Sequence, residues 1–172
     1  ITVLGISGAL THDASAALYI NEKLVAAAEE ERFIREKHAK GKMPFHAAKF
    51  CLEYANVSPD SVDVVAVPFA PISFFSKARW HFVKRYWYAP DRALDVLLNG
   101  NRRFRRYRRR VFSLLRDIGI DPKKIKFEPV EHHLAHASSA YHLSGFKEKT
   151  AIMGVDGKGE YATTFFGYGE NG

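Results

Sequence analysis

Apolar residues alternate with glycines and small residues over the first ten positions (ITVLGISGAL), and a second apolar run follows at residues 14–20 (ASAALYI). The two runs predict strands joined by the polar loop at 7–13, and residues 24–28 (LVAAA), resuming after Asn21-Glu22-Lys23, predict a third strand paired with the second. An antiparallel three-strand meander follows from that spacing. Pro44 then stands at a favoured first helical position, and Ala47, Ala48, Cys51, Leu52 and Ala55 recur at helical offsets, so Cys51 belongs on a buried helix face. After Ser58-Pro59-Asp60 the run VDVVAVPF is β-branched, short and bounded by turn residues, as a central strand is. Further on, Phe104, Tyr107, Val111 and Leu114 line one side of a helix. Residues 125–130 predict a short strand and residues 131–143 a helix closed by Ser144-Gly145. Residues 150–155 (TAIMGV) and 161–168 (YATTFFGY) predict two more strands around the loop DGKGE. The pattern is that of an α/β fold with a mixed sheet and crossover helices.

Composition narrows the class. The chain has 172 residues, 47% of them apolar and 26% charged, which is a globular balance with enough apolar surface for a real core. With no membrane-spanning apolar stretch and no basic region followed by an apolar block at the start, the expectation is a soluble, cytoplasmic protein with no membrane partner. A single cysteine, Cys51, excludes an internal disulfide and a thiolate metal cluster. The net charge of +7 is local: between Arg102 and Arg110 the sequence RRFRRYRRR holds seven arginines, and without them 19 basic residues face 19 acidic ones. Such a run is either a solvated helical face or a contact for nucleic-acid phosphates, and neutrality elsewhere disfavours a broad nucleic-acid footprint. Eight aromatics crowd between Phe69 and Tyr88, with Trp80, Val83 and Trp87 at helical spacing; the expectation there is packing, within the chain or against a partner domain or subunit.

Residues 3–8 (VLGISG) and 152–157 (IMGVDG) share one pattern of apolar and glycine positions, each followed by a short polar loop and a second strand. Two glycine-bearing hairpins facing one cleft could present backbone N–H groups to a polyphosphate. Four of the eight histidines lie in EHHLAHASSAYH. His132 and His136, four apart, share one face of a helix and suit one metal ion, whereas His133 points elsewhere; Asp156, closing the strand at 150–155, is the best third ligand. Imidazole and carboxylate donors without sulfur suit iron, manganese or zinc. The competing reading has the histidines capping and packing the helix. An earlier polar cluster comprises Thr11-His12-Asp13 and EEERFIREKH at 29–38, where His12 could donate to a phosphate and Lys37 neutralise one, or both could be ordinary surface.

Taken together, VLGISG, HDASAALYI, KLVAAAEEERFIREKH, EHHLAHASSAY and VDGKGE, in this order, resemble the O-carbamoyltransferase family of nodulation-factor and antibiotic-tailoring enzymes, related to the threonylcarbamoyladenosine-forming proteins. The resemblance implies an actin-like, sugar-kinase-like (ribonuclease H-like) fold. Residues 1–149 would form a first subdomain with a helical, arginine- and aromatic-rich insertion at about 70–122, and residues 150–172 the first hairpin of a second. It implies an enzyme using carbamoyl phosphate and ATP to make a carbamoyl-adenylate and pyrophosphate, the carbamoyl group then passing to the hydroxyl of a small-molecule acceptor. Metal ligands would fall on His132, His136 and Asp156, for Fe2+ or Mn2+ foremost and Zn2+ or Mg2+ after them. Carbamoyl-phosphate contacts would fall on His12 and Lys37, and a nucleotide phosphate loop on Gly157 and Gly159. Family members continue well past this length, so the chain is expected to be an amino-terminal piece, inactive alone and completed by a C-terminal part carrying a further metal carboxylate. The alternatives are a nucleic-acid-binding module built on the arginine run and a nucleotide-binding fragment without turnover.

Overall fold

The computed structural model describes residues 1–8, 12–71, 77–99, 101–157 and 163–170. Its elements run β1 (Thr2–Ser7), β2 (Ser15–Ile20), β3 (Lys23–Glu29), α1 (Glu31–Ile34), a 3-10 turn (Lys37–Ala39), α2 (Phe45–Tyr54), a second 3-10 turn (Pro59–Ser61), β4 (Val64–Val67), α3 (Lys77–Arg85), α4 (Pro90–Asn99), α5 (Arg102–Asp117), β5 (Lys126–Pro129), α6 (His132–Ser144), β6 (Thr150–Val155) and β7 (Thr164–Gly169). They group into two compact units, one of residues 1–67 and 102–129, the other of residues 68–101 and 130–170.

The first unit holds a five-stranded mixed sheet in the order β3-β2-β1-β4-β5, with β1, β2 and β3 antiparallel and β4 and β5 added parallel to β1. The predicted meander and mixed α/β class are therefore present. Asn21 and Glu22 both have positive φ (48° and 68°), the geometry of a two-residue hairpin turn whose twist matches its strands. Leu4, Ile6, Ala16 and Leu18 alternate into the core, and that burial holds the alanine-rich β2 and β3 in strands despite alanine's preference for helix. The helix α2 packs on β2 and β3 through Ala47, Ala48, Cys51 and Leu52, and the Cys51 thiol reaches the carbonyl of Ala16 at 3.6 Å. Along α5, Tyr107, Val111, Leu114 and Leu115 are buried, and the Tyr107 hydroxyl donates to the Ile6 carbonyl at 3.1 Å. That contact places α5 with the sheet of the first unit.

In the second unit β6 and β7 pair antiparallel, with α6 packed on β6. Glu131 caps α6 by accepting from the Leu134 amide at 2.7 Å, and Gly145 ends it in the left-handed region (φ 78°). A Cβ on Gly154 would fall 1.8 Å from the Phe165 ring, so the close cross-strand seat of that ring requires glycine. The strand–loop–strand echo of the sequence is thus a hairpin in both units, β1–β2 and β6–β7. The aromatic stripe does not lie on one helix. Trp87 lies beyond the end of α3 in a turn, and Trp80 and Trp87 are exposed, so Trp80, Val83 and Trp87 do not form one buried helical face. The spacing was helical, but Tyr86 to Tyr88 leave the helix before Pro90 starts α4. Among the described residues no helix is long and apolar enough to cross a membrane.

Candidate functional site

The histidine-rich helix owes its orientation to a stripe at four-residue spacing. His133, Ala137 and Tyr141 are its buried residues, and His132 and His136 stand about 100° further round, on the adjoining side. Asp156 follows the last residue of β6, and its amide donates to the Thr163 carbonyl at 2.8 Å, which closes the start of the loop. These supports bring the three predicted ligands together. His132 Nε2 lies 2.6 Å from Asp156 Oδ2 and 3.2 Å from His136 Nε2, and His136 Nε2 lies 3.7 Å from the same carboxylate oxygen.

The His132–His136 separation is that of two ligands on one ion, while the His132–Asp156 contact is at hydrogen-bond distance. Two imidazole nitrogens at about 2.0–2.1 Å from one ion, at roughly tetrahedral to right angles, stand about 2.8–3.4 Å apart, and the observed separation is 3.2 Å. His132 Nδ1 faces the Pro68 carbonyl at 3.3 Å, the backbone contact that fixes a ligating histidine with Nε2 turned to the metal. Phe69 stacks on the His132 ring, with centroids 5.2 Å apart. Three lone-pair donors aimed at one point repel unless a proton or a cation lies among them. His133 is placed as expected, away from this point: it is 4% exposed, 3.3 Å from Glu131, and set edge-on to Phe165. Its Nε2 has no hydrogen-bond partner among the described residues.

The second candidate group belongs to the first unit. His12 Nδ1 contacts Asp13 Oδ2, and His38 Nδ1 lies 2.9 Å from Asp13 Oδ1, so one carboxylate bridges two imidazoles. The Asp13 amide donates to the His38 carbonyl at 2.7 Å, and the His38 amide donates to Glu31 Oε2 at 2.7 Å. Asp13 and His38 both have positive φ (58° and 66°), a conformation that costs a non-glycine residue energy and here sets their side chains face to face. Hydrogen bonds from His38, then from His12, hold the Asp13 carboxyl below its ordinary value. A carboxylate on Nδ1 of each ring leaves both Nε2 atoms for an outside group, to donate if the ring is protonated or to accept a proton if it is neutral. Lys37 is exposed one residue before His38. Gly157 follows Asp156 with nothing within 4 Å of where a Cβ would stand, and Gly159 lies outside the described residues, as does Thr11.

Asp13, Glu31 and His38 carried no role in the sequence reading, although Asp13 adjoins His12 and both others fall within the charged stretch at 29–38. Their convergence depends on the turns after β3 that bring His38 back against Asp13 and Glu31, which no local spacing encodes.

Comparison with known proteins decides the family. A profile described as carbamoyltransferase N-terminus matches residues 2–172. The chain belongs to the carbamoyltransferase N-terminus family. Among curated relatives, the nodulation protein NolNO of Sinorhizobium fredii is 31% identical over 168 residues, which is 96% of this chain and 22% of that protein. The uncharacterized protein sll1178 of Synechocystis is 34% identical over 168 residues, 94% of this chain and 26% of its own length. The chain therefore spans about a quarter of the relatives it matches. Among solved structures, YeaZ from Pseudomonas aeruginosa aligns over 91% of this chain and 54% of its own, at 15% identity and a TM-score of 0.41.

Proposed function

We propose that this chain supplies the metal-binding and carbamoyl-phosphate-binding residues of an O-carbamoyltransferase that works through ATP. The convergence of His132, His136 and Asp156 on one point, in a chain of this family, carries the reading. In the reaction, carbamoyl phosphate and water release inorganic phosphate, and the carbamate oxygen attacks the α-phosphorus of ATP with pyrophosphate leaving. An acceptor hydroxyl then attacks the carbamoyl carbon and AMP leaves. A divalent ion held by the two imidazoles and the carboxylate would supply Lewis acidity beside the nucleotide phosphates, and two nitrogens with one oxygen favour iron, manganese or zinc over magnesium.

The chain's own residues then have distinct tasks. The Pro68 carbonyl at Nδ1 orients His132 so that Nε2 faces Asp156. The loop after Asp156 opens at Gly157, where the absence of a side chain lets a phosphate approach the backbone. In the first unit His12 presents Nε2 with Asp13 behind it, a geometry that aims the ring nitrogen at the phosphate of carbamoyl phosphate. Lys37 adds a point charge on a flexible stem.

The test uses the full-length protein. Asp156→Asn keeps the shape of the side chain and removes its charge, so bound metal and carbamoyl-phosphate-dependent turnover should both collapse, while metal-free thermal unfolding barely moves. His136→Ala should do the same. Lys37→Met should weaken carbamoyl-phosphate binding and leave ATP binding intact. Full metal occupancy in both His136→Ala and Asp156→Asn would return the histidines to packing and sink the reading.

A further inference from the structure

The arginine run has an unusual geometry once it is folded. At about 100° per residue, Arg102, Arg103, Arg105, Arg106, Arg109 and Arg110 fall on one side of α5, opposite the buried Tyr107, Val111, Leu114 and Leu115. All six arginines are exposed. Arg102, Arg103, Arg105, Arg106 and Arg109 form no ion pair with any described residue, although surface charges elsewhere pair freely, as in Lys42–Glu36 and Lys126–Glu128. A face of this kind repels itself and loses stability for it, yet the Tyr107 hydroxyl bond and the buried stripe keep the helix fixed. The fixed orientation is what a binding surface needs, because the ligand meets preordered guanidinium groups.

The face also touches the segment that follows His38. Arg110 Nη2 donates to the Gly41 carbonyl at 2.7 Å, in the segment that continues from His38. Tyr107 anchors α5 to Ile6, two residues before Gly8, where a Cβ would meet Ala14 and the Lys42 carbonyl within 3.0 Å. The same helix thus braces the end of β1 and the loop that carries Lys37 and His38.

We infer that the outward face of α5 is an acceptor-binding surface, and that the acceptor is a hydroxylated polyanion of the acidic-oligosaccharide class. The inference rests on the transfer reading above. Planar guanidinium forks match carboxylate and sulfate groups in pairs, and an acidic saccharide combines those groups with the hydroxyls the reaction needs. A membrane surface fits poorly, because Tyr107, Val111, Leu114 and Leu115 of α5 face inward and the half-buried Phe112 is packed edge-on against Phe127. Single-stranded nucleic acid fits poorly as well: the aromatics within the run are Phe104, which is half-buried, and Tyr107, which is fully buried, so bases have no platform.

The experiment combines Arg102→Gln, Arg106→Gln and Arg109→Gln in the full-length protein. Binding of labelled oligogalacturonate, a dextran sulfate oligomer, neutral maltooligosaccharide and duplex RNA is measured over a salt series. Carbamoyl-phosphate-dependent pyrophosphate release is measured without acceptor. Wild type should bind one or both acidic saccharides at low salt, and whichever binds tighter identifies carboxylate or sulfate as the natural group. The triple variant should lose that binding by roughly ten- to a hundredfold and release pyrophosphate at the wild-type rate. Equal saccharide binding by the two proteins overturns the inference, and so does RNA bound more tightly than either acidic saccharide. Pyrophosphate release absent from both proteins, with saccharide binding intact and arginine-dependent, would instead defeat the transfer reading and leave the surface as an anion site.

Discussion

Replacing Glu30 tests how the first unit holds its helix against its sheet. Glu30 is 2% exposed, at the junction of β3 and α1. Its Oε1 accepts from the His46 amide at 3.2 Å and contacts His46 Nδ1 at 2.6 Å, while Oε2 accepts from the Ala47 amide at 2.9 Å. Those amides belong to the first turn of α2, whose N-cap residue is Pro44 and makes no side-chain cap. A carboxylate 16 residues upstream therefore does the capping, and its charge also complements the positive end of the helix. Each hydrogen bond to a charged group contributes about 1.5–3 kcal/mol, and an orphaned buried amide costs about 1–3. Glu30→Ala leaves the Ala47 amide buried without its acceptor and removes the contact to the half-exposed His46 ring, a loss of about 2–4 kcal/mol. Glu30→Gln keeps one acceptor oxygen but turns an NH2 toward a donor, so about 1–3 kcal/mol is expected. Urea unfolding measures the loss, and hydrogen exchange at residues 45–48 should accelerate locally in both variants. A Glu30→Gln protein within about 0.5 kcal/mol of wild type, with unchanged exchange in α2, would refute the capping argument.

Two further outcomes follow from the perturbed groups. The lowered Asp13 carboxyl contributes stability that is complete above its ordinary value of 3.8 and is lost as pH falls through the depressed folded value. The stability gap between wild type and Asp13→Asn should therefore be open at pH 5 and close below about pH 4; a gap unchanged at pH 3 contradicts the bridge. Burial raises the Cys51 thiol above its usual value, so iodoacetamide at pH 8 should label the native protein far more slowly than the urea-unfolded one, and equal rates would place Cys51 outside the core.

The sequence alone determined the strands, because β1, β2, β3 and β4 carry apolar alternation or β-branched runs between turn residues, and these are local signals. It also determined the helix carrying His132 and His136, since a spacing of four on a helix fixes a shared face whatever the helix packs against. The same locality made the echo of VLGISG in IMGVDG readable as two hairpins. Tertiary structure decided what depended on distant contacts. Only the fold shows Asp13 bridging His12 and His38, which are 26 residues apart in sequence, or Glu30 capping a helix that starts 15 residues later. The aromatic stripe misled for the complementary reason: periodicity at Trp80, Val83 and Trp87 describes a helix only if the backbone stays helical, and Pro90 with the turn before it ends that condition. The arginine run shows both limits at once. Its positive charge and the apolar side through Tyr107 were plain from the sequence, but the hydrogen bond that anchors Tyr107 on the carbonyl of Ile6, 101 residues away, was not.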